Sequence, residues 1–283
     1  MFYRIVVVLS ALLLGSAATA QTQPSSTKPE LTCDEMENFL REAKIGRQRE
    51  TPKGVTHPKH ATLDDGKMQH DANIQTIHES RARFESARGI EMNFKDWWEF
   101  DVAGYELAKM LELNMVPPCV ERRLPGQPAA LSWWVNDTVL ELERKQKGLQ
   151  SPDTDTWNKE MYVMRVFNQL IANMDDNLTN FLIDKGWHLW MIDFTRSFRA
   201  STDPPDKKNL VQCDQKLLAN MRKLDKETLK SRLGKYLTGM EINGLLARRD
   251  KIVKLFEDEI AKKGEGAVLF DLPRVGQRCG TGL

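Results

Sequence analysis

Ala172-Asn173-Met174-Asp175-Asp176-Asn177-Leu178-Thr179-Asn180-Phe181-Leu182-Ile183, followed by Leu189-Trp190-Met191-Ile192-Asp193-Phe194, is the stretch that decides the reading of this chain. Upstream, Met161, Met164, Phe167, Leu170, Ile171 and Met174 recur at helical spacing, so a helix over 157–174 runs into an acidic turn. Asn180 comes five residues after Asp175 and opens a strand, and Asp193 comes thirteen residues after Asn180 and closes the next one. Asp184-Lys185-Gly186 joins the two strands. A hairpin of this length places the Asn180 amide and the Asp193 carboxylate side by side, facing one point beyond the helix end together with Asp175.

Three such groups suit phosphoryl transfer. Asp175 would orient the attacking hydroxyl and take its proton. The Asn180 amide oxygen and the Asp193 carboxylate would hold a divalent cation against nucleotide phosphates. Hard oxygen donors with no cysteine nearby favour Mg²⁺ or Mn²⁺ over zinc. No Gly-x-Ser-x-Gly elbow or His-Glu-x-x-His pair occurs, so hydrolase and metalloprotease readings have no support. Each histidine reads as surface or core, and Arg248-Arg249-Asp250-Lys251 as a solvated helix face.

Working outward, the second half is helical, with further helical periodicity over 215–262. The first half is rich in strands. It shows a helix over Cys33–Ala43 and a strand ending at Leu63 before the turn Asp64-Asp65-Gly66. Met68, His70, Ala72 and Ile74 then alternate. Residues 78–93 are polar and read as an irregular connection, followed by a helix over 96–111. Pro125-Gly126-Gln127 turns the chain into a strand over 130–135, and 143–155 reads as a connection. The expected architecture is α+β and two-lobed: an N-lobe over 33–142, strand-rich with one central helix, and a helix-rich C-lobe over 143–283.

The chain has 283 residues, with 41 Lys and Arg against 40 Asp and Glu. This balance argues against a protein dedicated to nucleic acid. Residues 1–20 read as a cleaved signal peptide: Arg4, the apolar stretch Ile5–Leu14, then Ala18-Thr19-Ala20 as the cleavage site. Residues 21–32 read as a flexible mature N-terminus. No later segment reaches the length of a membrane span, so a secreted or periplasmic location is expected. Cys33, Cys119, Cys213 and Cys279 admit three complete pairings, with a buried free thiol as the alternative at Cys119.

The central stretch resembles the catalytic and metal-binding loops of the protein-kinase-like superfamily. The resemblance is to its atypical branch of phosphatidylinositol 3-/4-kinases, HipA-like kinases and secretory-pathway kinases. Ile192-Asp193-Phe194-Thr195-Arg196-Ser197-Phe198 is similar to that branch's Ile-Asp-Phe-Gly-x-x-Phe, with Thr195 where glycine is usual. Asp176 replaces the basic residue or histidine that normally follows the catalytic aspartate. Asp101-Val102-Ala103-Gly104-Tyr105-Glu106-Leu107 resembles the small-lobe helix whose acid pairs with the nucleotide-binding lysine, making Asp101 the nearest match and Glu99 a second candidate. Ser132-Trp133-Trp134-Val135 would lead to the interlobe hinge, with Trp134 or Val135 against the adenine. Asp71-Ala72-Asn73-Ile74-Gln75 resembles the lysine strand, yet Gln75 stands where the lysine belongs and would line the phosphate site without charge, with Lys67 at the preceding turn or Lys59 on the previous strand as lysines that could reach across. The resemblance thus implies a two-lobed kinase-like fold that binds ATP and Mg²⁺ or Mn²⁺ and phosphorylates a hydroxyl acceptor. The missing lysine leaves a pseudokinase as the alternative.

Overall fold

The structure, a computed structural model, describes residues 31–50, 59–86 and 89–273. The expected leader, most of the expected N-terminal tail, strand residues 54–58, His57 and Cys279 lie outside the described residues. Helix α1 (Cys33–Glu42) opens on a capping box, in which Glu35 N donates to Thr32 Oγ1 and Thr32 N donates back to Glu35 Oε2. Next come β1 (Lys44–Glu50), β2 (Lys59–Asp64) and β3 (Gln69–Gln75), with the turn at Asp64-Asp65-Gly66 closed by Gly66 N donating to Asp64 Oδ1. Then β4 (His78–Ser86) and β5 (Gly89–Trp97) form a separate antiparallel hairpin. Helix α2 (Glu99–Met110) leads to β6 (Cys119–Leu124) and β7 (Gln127–Trp133). The five-stranded antiparallel sheet has the order β1-β2-β3-β7-β6.

The remainder is mostly helical. Strand β8 (Val139–Leu140), α3 (Glu141–Gln146) and α4 (Thr154–Ile171) precede the short hairpin β9 (Phe181–Ile183) and β10 (Leu189–Met191), which β8 extends to three strands. Strand β11 (Cys213–Asp214), α5 (Gln215–Lys223), α6 (Lys226–Leu233), α7 (Gly239–Lys263), α8 (Glu265–Val268) and β12 (Leu269–Phe270) complete the described chain. The fold is α+β, with a sheet-rich N-terminal region and helices after it. Among the described residues, no helix is long and apolar enough to cross a membrane.

Two apolar cores result. One lies between the five-stranded sheet and α1, built from Phe39, Leu40, Leu63, Ile74 and Leu131 among others. The larger one runs from α2 through α4 to α7, so α2 belongs to the helical mass and to the sheet at once. Glu37 on α1 reinforces the join by accepting from Tyr105 Oη (2.9 Å) and Lys109 Nζ (2.8 Å) on α2. Cys33 is disulfide-bonded, whereas Cys119 and Cys213 are buried free thiols.

Several elements differ from the sequence expectation. Residues 78–93 are not irregular; they belong to the β4–β5 hairpin. Among its described residues only Phe94 and Asp96 are buried, so the hydrophobic alternation that announces a strand is missing, and the pairing register carries the structure instead. Asp96 consequently belongs to β5, and α2 starts at Glu99. Residues 141–146 form α3, held by Arg144 and Lys147 reaching Glu141 and Glu143. The periodic region 215–262 breaks into three helices, because Asp225 and Thr238 cap new N-termini. Arg248 does not lie on a solvated face. It is fully buried, donating from Nε to Leu170 O (2.8 Å) and from Nη1 to Arg199 O (2.6 Å), and burial pushes its pKa down to about 10.

Two contacts set how the elements meet. Gly104 on α2 faces the ring of Phe194, and a Cβ there would lie 2.5 Å from Phe194 Cδ2. Gly104→Ala should therefore lower Tm. Overpacking costs about 1–3 kcal/mol, which outweighs the gain of about 1 kcal/mol in helix propensity, and Phe194→Leu should recover part of the loss. A higher Tm in the alanine variant would show that the contact is not tight. His188 ties β10 to α4, with Nδ1 2.6 Å from Glu160 Oε1 and Nε2 2.5 Å from Asn114 O. Both partners are acceptors, so the ring carries both protons. Burial opposes this, but the Glu160 carboxylate prevails and His188 titrates above its ordinary value. The stabilisation is then complete below about pH 6.5 and fades as pH rises through the raised pKa. Urea midpoints of the protein and its His188→Gln variant should converge on the alkaline side. A gap independent of pH would contradict the charged ring.

Candidate active site

The loop after α4 is built by local backbone bonds. Ala172 ends the helix in the left-handed region (φ 48°), and Asp175 N donates to Asn173 Oδ1 (3.0 Å). Asn180 is buried and donates from Nδ2 to Asp175 O (3.0 Å), while its own carbonyl accepts from Ile192 N (3.0 Å). Those two bonds fasten the Asp175 loop to β9 and the start of the Asp193 segment. Asp193 itself is left-handed (φ 61°), an uncommon conformation that aspartate tolerates better than most residues. The following residues are stitched back to the helix end, with Met174 N donating to Arg196 O (3.2 Å) and Phe198 N to Ile171 O (2.6 Å).

Four residues expected at the site are brought together: Asp101, Asp175, Asn180 and Asp193. Asp101 reaches across from α2 and accepts from Phe194 N at 2.6 Å. Burial, and then the charge of Asp193, push its carboxyl well above the usual range. Among the described residues, Asp193 and Asp96 raise it further and the Phe194 amide lowers it. Asp193 is pushed up to about 6 by burial and by the charges of Asp175 and Asp96, against a hydrogen bond from Thr195 Oγ1 (3.0 Å). Arg196 Nη1 lies 3.7 Å from Asp175 Oδ1, and its Nη2 lies 3.1 Å from Glu91 Oε2 on β5. The Arg196 guanidinium also lies over Phe94 and Phe84 of the hairpin, at 5.1 and 5.5 Å.

The other expected residues lie at the end of β3 and just after β7. Gln75 ends β3 and is buried, and its Oε1 accepts from Thr76 N (3.0 Å) and Ile77 N (3.1 Å). Its carbonyl thus shapes the turn into the hairpin. Trp134 stacks on His60 with centroids 4.1 Å apart. His60 Nε2 lies 2.7 Å from Asp71 Oδ2, and Asp71 Oδ1 accepts from Thr62 Oγ1 (2.7 Å). Val135 follows β7, and its carbonyl accepts from Thr138 Oγ1 (3.5 Å).

Asp96, Glu91 and Arg196 were not singled out by sequence. Asp96 is buried, and its Oδ1 has no hydrogen-bond partner. Nothing local signals it, because it stands 97 residues before Asp193 in a strand without apolar alternation.

The donor chemistry can be tested against a hard divalent cation. Among the described residues, no three His, Cys, Asp or Glu side chains form a metal cage alone. Mg²⁺ needs no such cage, since it is commonly held by one or two carboxylates together with substrate phosphates and water. Oxygen donors, mutually repelling carboxylates and an unpartnered buried carboxylate oxygen all fit such an ion.

No protein-family model and no curated protein matches this chain. Solved structures do. The chain is similar to hydra Fam20, solved with a sugar, at TM-score 0.62 and 14% identity, covering 86% of this chain and 93% of that one. It is also similar to the Golgi casein kinase, including its form with Mn and ADP bound, at TM-score 0.61 and 12% identity, covering 86% and 80%. At these identities the likeness concerns the fold, and the fold of this chain is kinase-like.

Proposed function

We propose that this protein is an extracytoplasmic phosphotransferase that moves the γ-phosphoryl group of a nucleotide such as ATP to a hydroxyl acceptor. What supports the reading is that Asn180 bonds the Asp175 loop and accepts from Ile192 N beside Asp193, while α2 is bound to the Asp193 loop through Asp101. Asp175 would hold the acceptor hydroxyl and take its proton as the oxygen bonds to the γ-phosphorus and the bond to the bridging oxygen breaks. Asn180 and Asp193 would hold Mg²⁺ or Mn²⁺, which would neutralise phosphate charge when bound. The Golgi casein kinase with Mn and ADP supports this cofactor pair by analogy of fold. Trp134 and Val135, at the end of β7, are the residues proposed to meet the base, with the lobe boundary near 142. Residues 1–20 and the disulfide at Cys33 favour a secreted or periplasmic setting.

A second reading, a pseudokinase that binds nucleotide or a partner without transfer, has its own support. Gln75 spends its carbonyl on the backbone, and among the described residues the groups that act on Asp101 are Asp193, Asp96 and the Phe194 amide. Gln75 itself would bring no charge to the phosphates.

Thermal melts with ATP and Mg²⁺, separately and together, test the shared site. A stabilisation that needs both and disappears in Asp193→Ala is expected, and no shift under any condition would remove both readings. Radiolabel transfer then separates them. Asp175→Asn should reduce it by about a hundredfold or more, whereas a wild-type protein that binds nucleotide and metal but transfers nothing is the pseudokinase.

A further inference from the structure

We infer that Asp96, supplied by the β4–β5 hairpin, is an additional oxygen donor of the cation site that Asn180 and Asp193 are proposed to form. The inference rests on the cation part of the proposed function and extends it to an element that none of the motifs includes.

Asp96 is only 6% exposed, and its Oδ1 accepts no hydrogen bond. A buried carboxylate oxygen without a donor is costly, and its presence requires a physical reason. Its position is not accidental, because Trp97 N, the next residue, donates to Thr195 O at 2.9 Å. That bond sets Asp96 beside the loop carrying Asp193. The Thr195 hydroxyl lies within reach of both carboxylates but has one hydrogen, and it donates that to Asp193 Oδ1 at 3.0 Å. Asp96 is left facing the negative charges of Asp175 and Glu79, with Arg196 as the cation that offsets them. A buried, unpartnered acceptor beside other carboxylates repels phosphate and attracts a hard cation, and a further carboxylate strengthens a site for a divalent ion.

Mn²⁺ binding decides the matter without any activity assay. Titrations by calorimetry or electron paramagnetic resonance, with Mn²⁺ alone and with ADP, would compare the wild type with Asp96→Asn, Asp193→Asn and the control Asp184→Asn. The wild type and the control should bind alike, Asp193→Asn should lose binding, and Asp96→Asn should weaken it about tenfold or more while melting cooperatively. If Asp96→Asn does not fold, Asp96→Glu, which keeps the charge but moves the oxygens, should show the same weakening. Wild-type affinity in a folded Asp96 variant, with binding lost in Asp193→Asn, would overturn the role of Asp96 and leave the proposed site standing. A wild type that takes up no Mn²⁺ with or without ADP would overturn both.

Discussion

The site is organised around the short hydrogen bond from Phe194 N to Asp101 Oδ1, 2.6 Å long and buried between α2 and the Asp193 loop. It joins α2 to the segment that carries Asp193. It sets the distance between the helix behind the sheet and the loop that carries Asp193, and Gly104 allows the approach by leaving room for the Phe194 ring. Gln75, at the end of β3, closes the turn into the hairpin. Burial, and then the charge of Asp193, push the Asp101 carboxyl up. The Phe194 amide and the packing of Gly104 against the Phe194 ring hold the helix to the loop.

The loop's geometry is held from outside. Ala172, Asp193 and Phe198 all adopt left-handed backbone without being glycine, and such residues persist only where surrounding contacts over-determine them. Arg248 supplies some of those contacts by bonding the carbonyls of Leu170 and Arg199 from within the helical core. Gly244 lets α7 approach closely enough, since a Cβ there would lie 2.9 Å from the Ala200 carbonyl. The β4–β5 hairpin supplies others, through Glu91 to Arg196 and Arg199 and through Trp97 to Thr195. Two aspartates, Asp175 and Asp193, are thus oriented by parts of the chain far apart in sequence.

Much of this was legible in the residues. The apolar spacing over 161–174 places α4 and its end. The interval between Asn180 and Asp193 is a hairpin's length, which suffices to bring that pair together because strand pairing is set by local turn geometry. The caps Asp225 and Thr238 were visible in principle, but continuous helical periodicity outweighed them. The β1 strand, Lys44–Glu50, was missed for the same reason as the hairpin: its residues are mostly exposed and charged, so no alternation marks it.

What sequence alone determined is the set of groups carried on local elements, namely the helix end at Asp175, the hairpin joining Asn180 to Asp193, and the neutral amide at Gln75. Only the tertiary structure decided what stands opposite them: Asp101 bonded to the Phe194 amide, Arg196 held by Glu91, Asp96 buried in the hairpin, and Arg248 buried as a brace. Local spacing reports which side chains share a face over a few turns. Pairing across a hundred residues depends on how whole elements pack, and a polar residue carries the same local signature whether it ends in solvent or against a buried carboxylate.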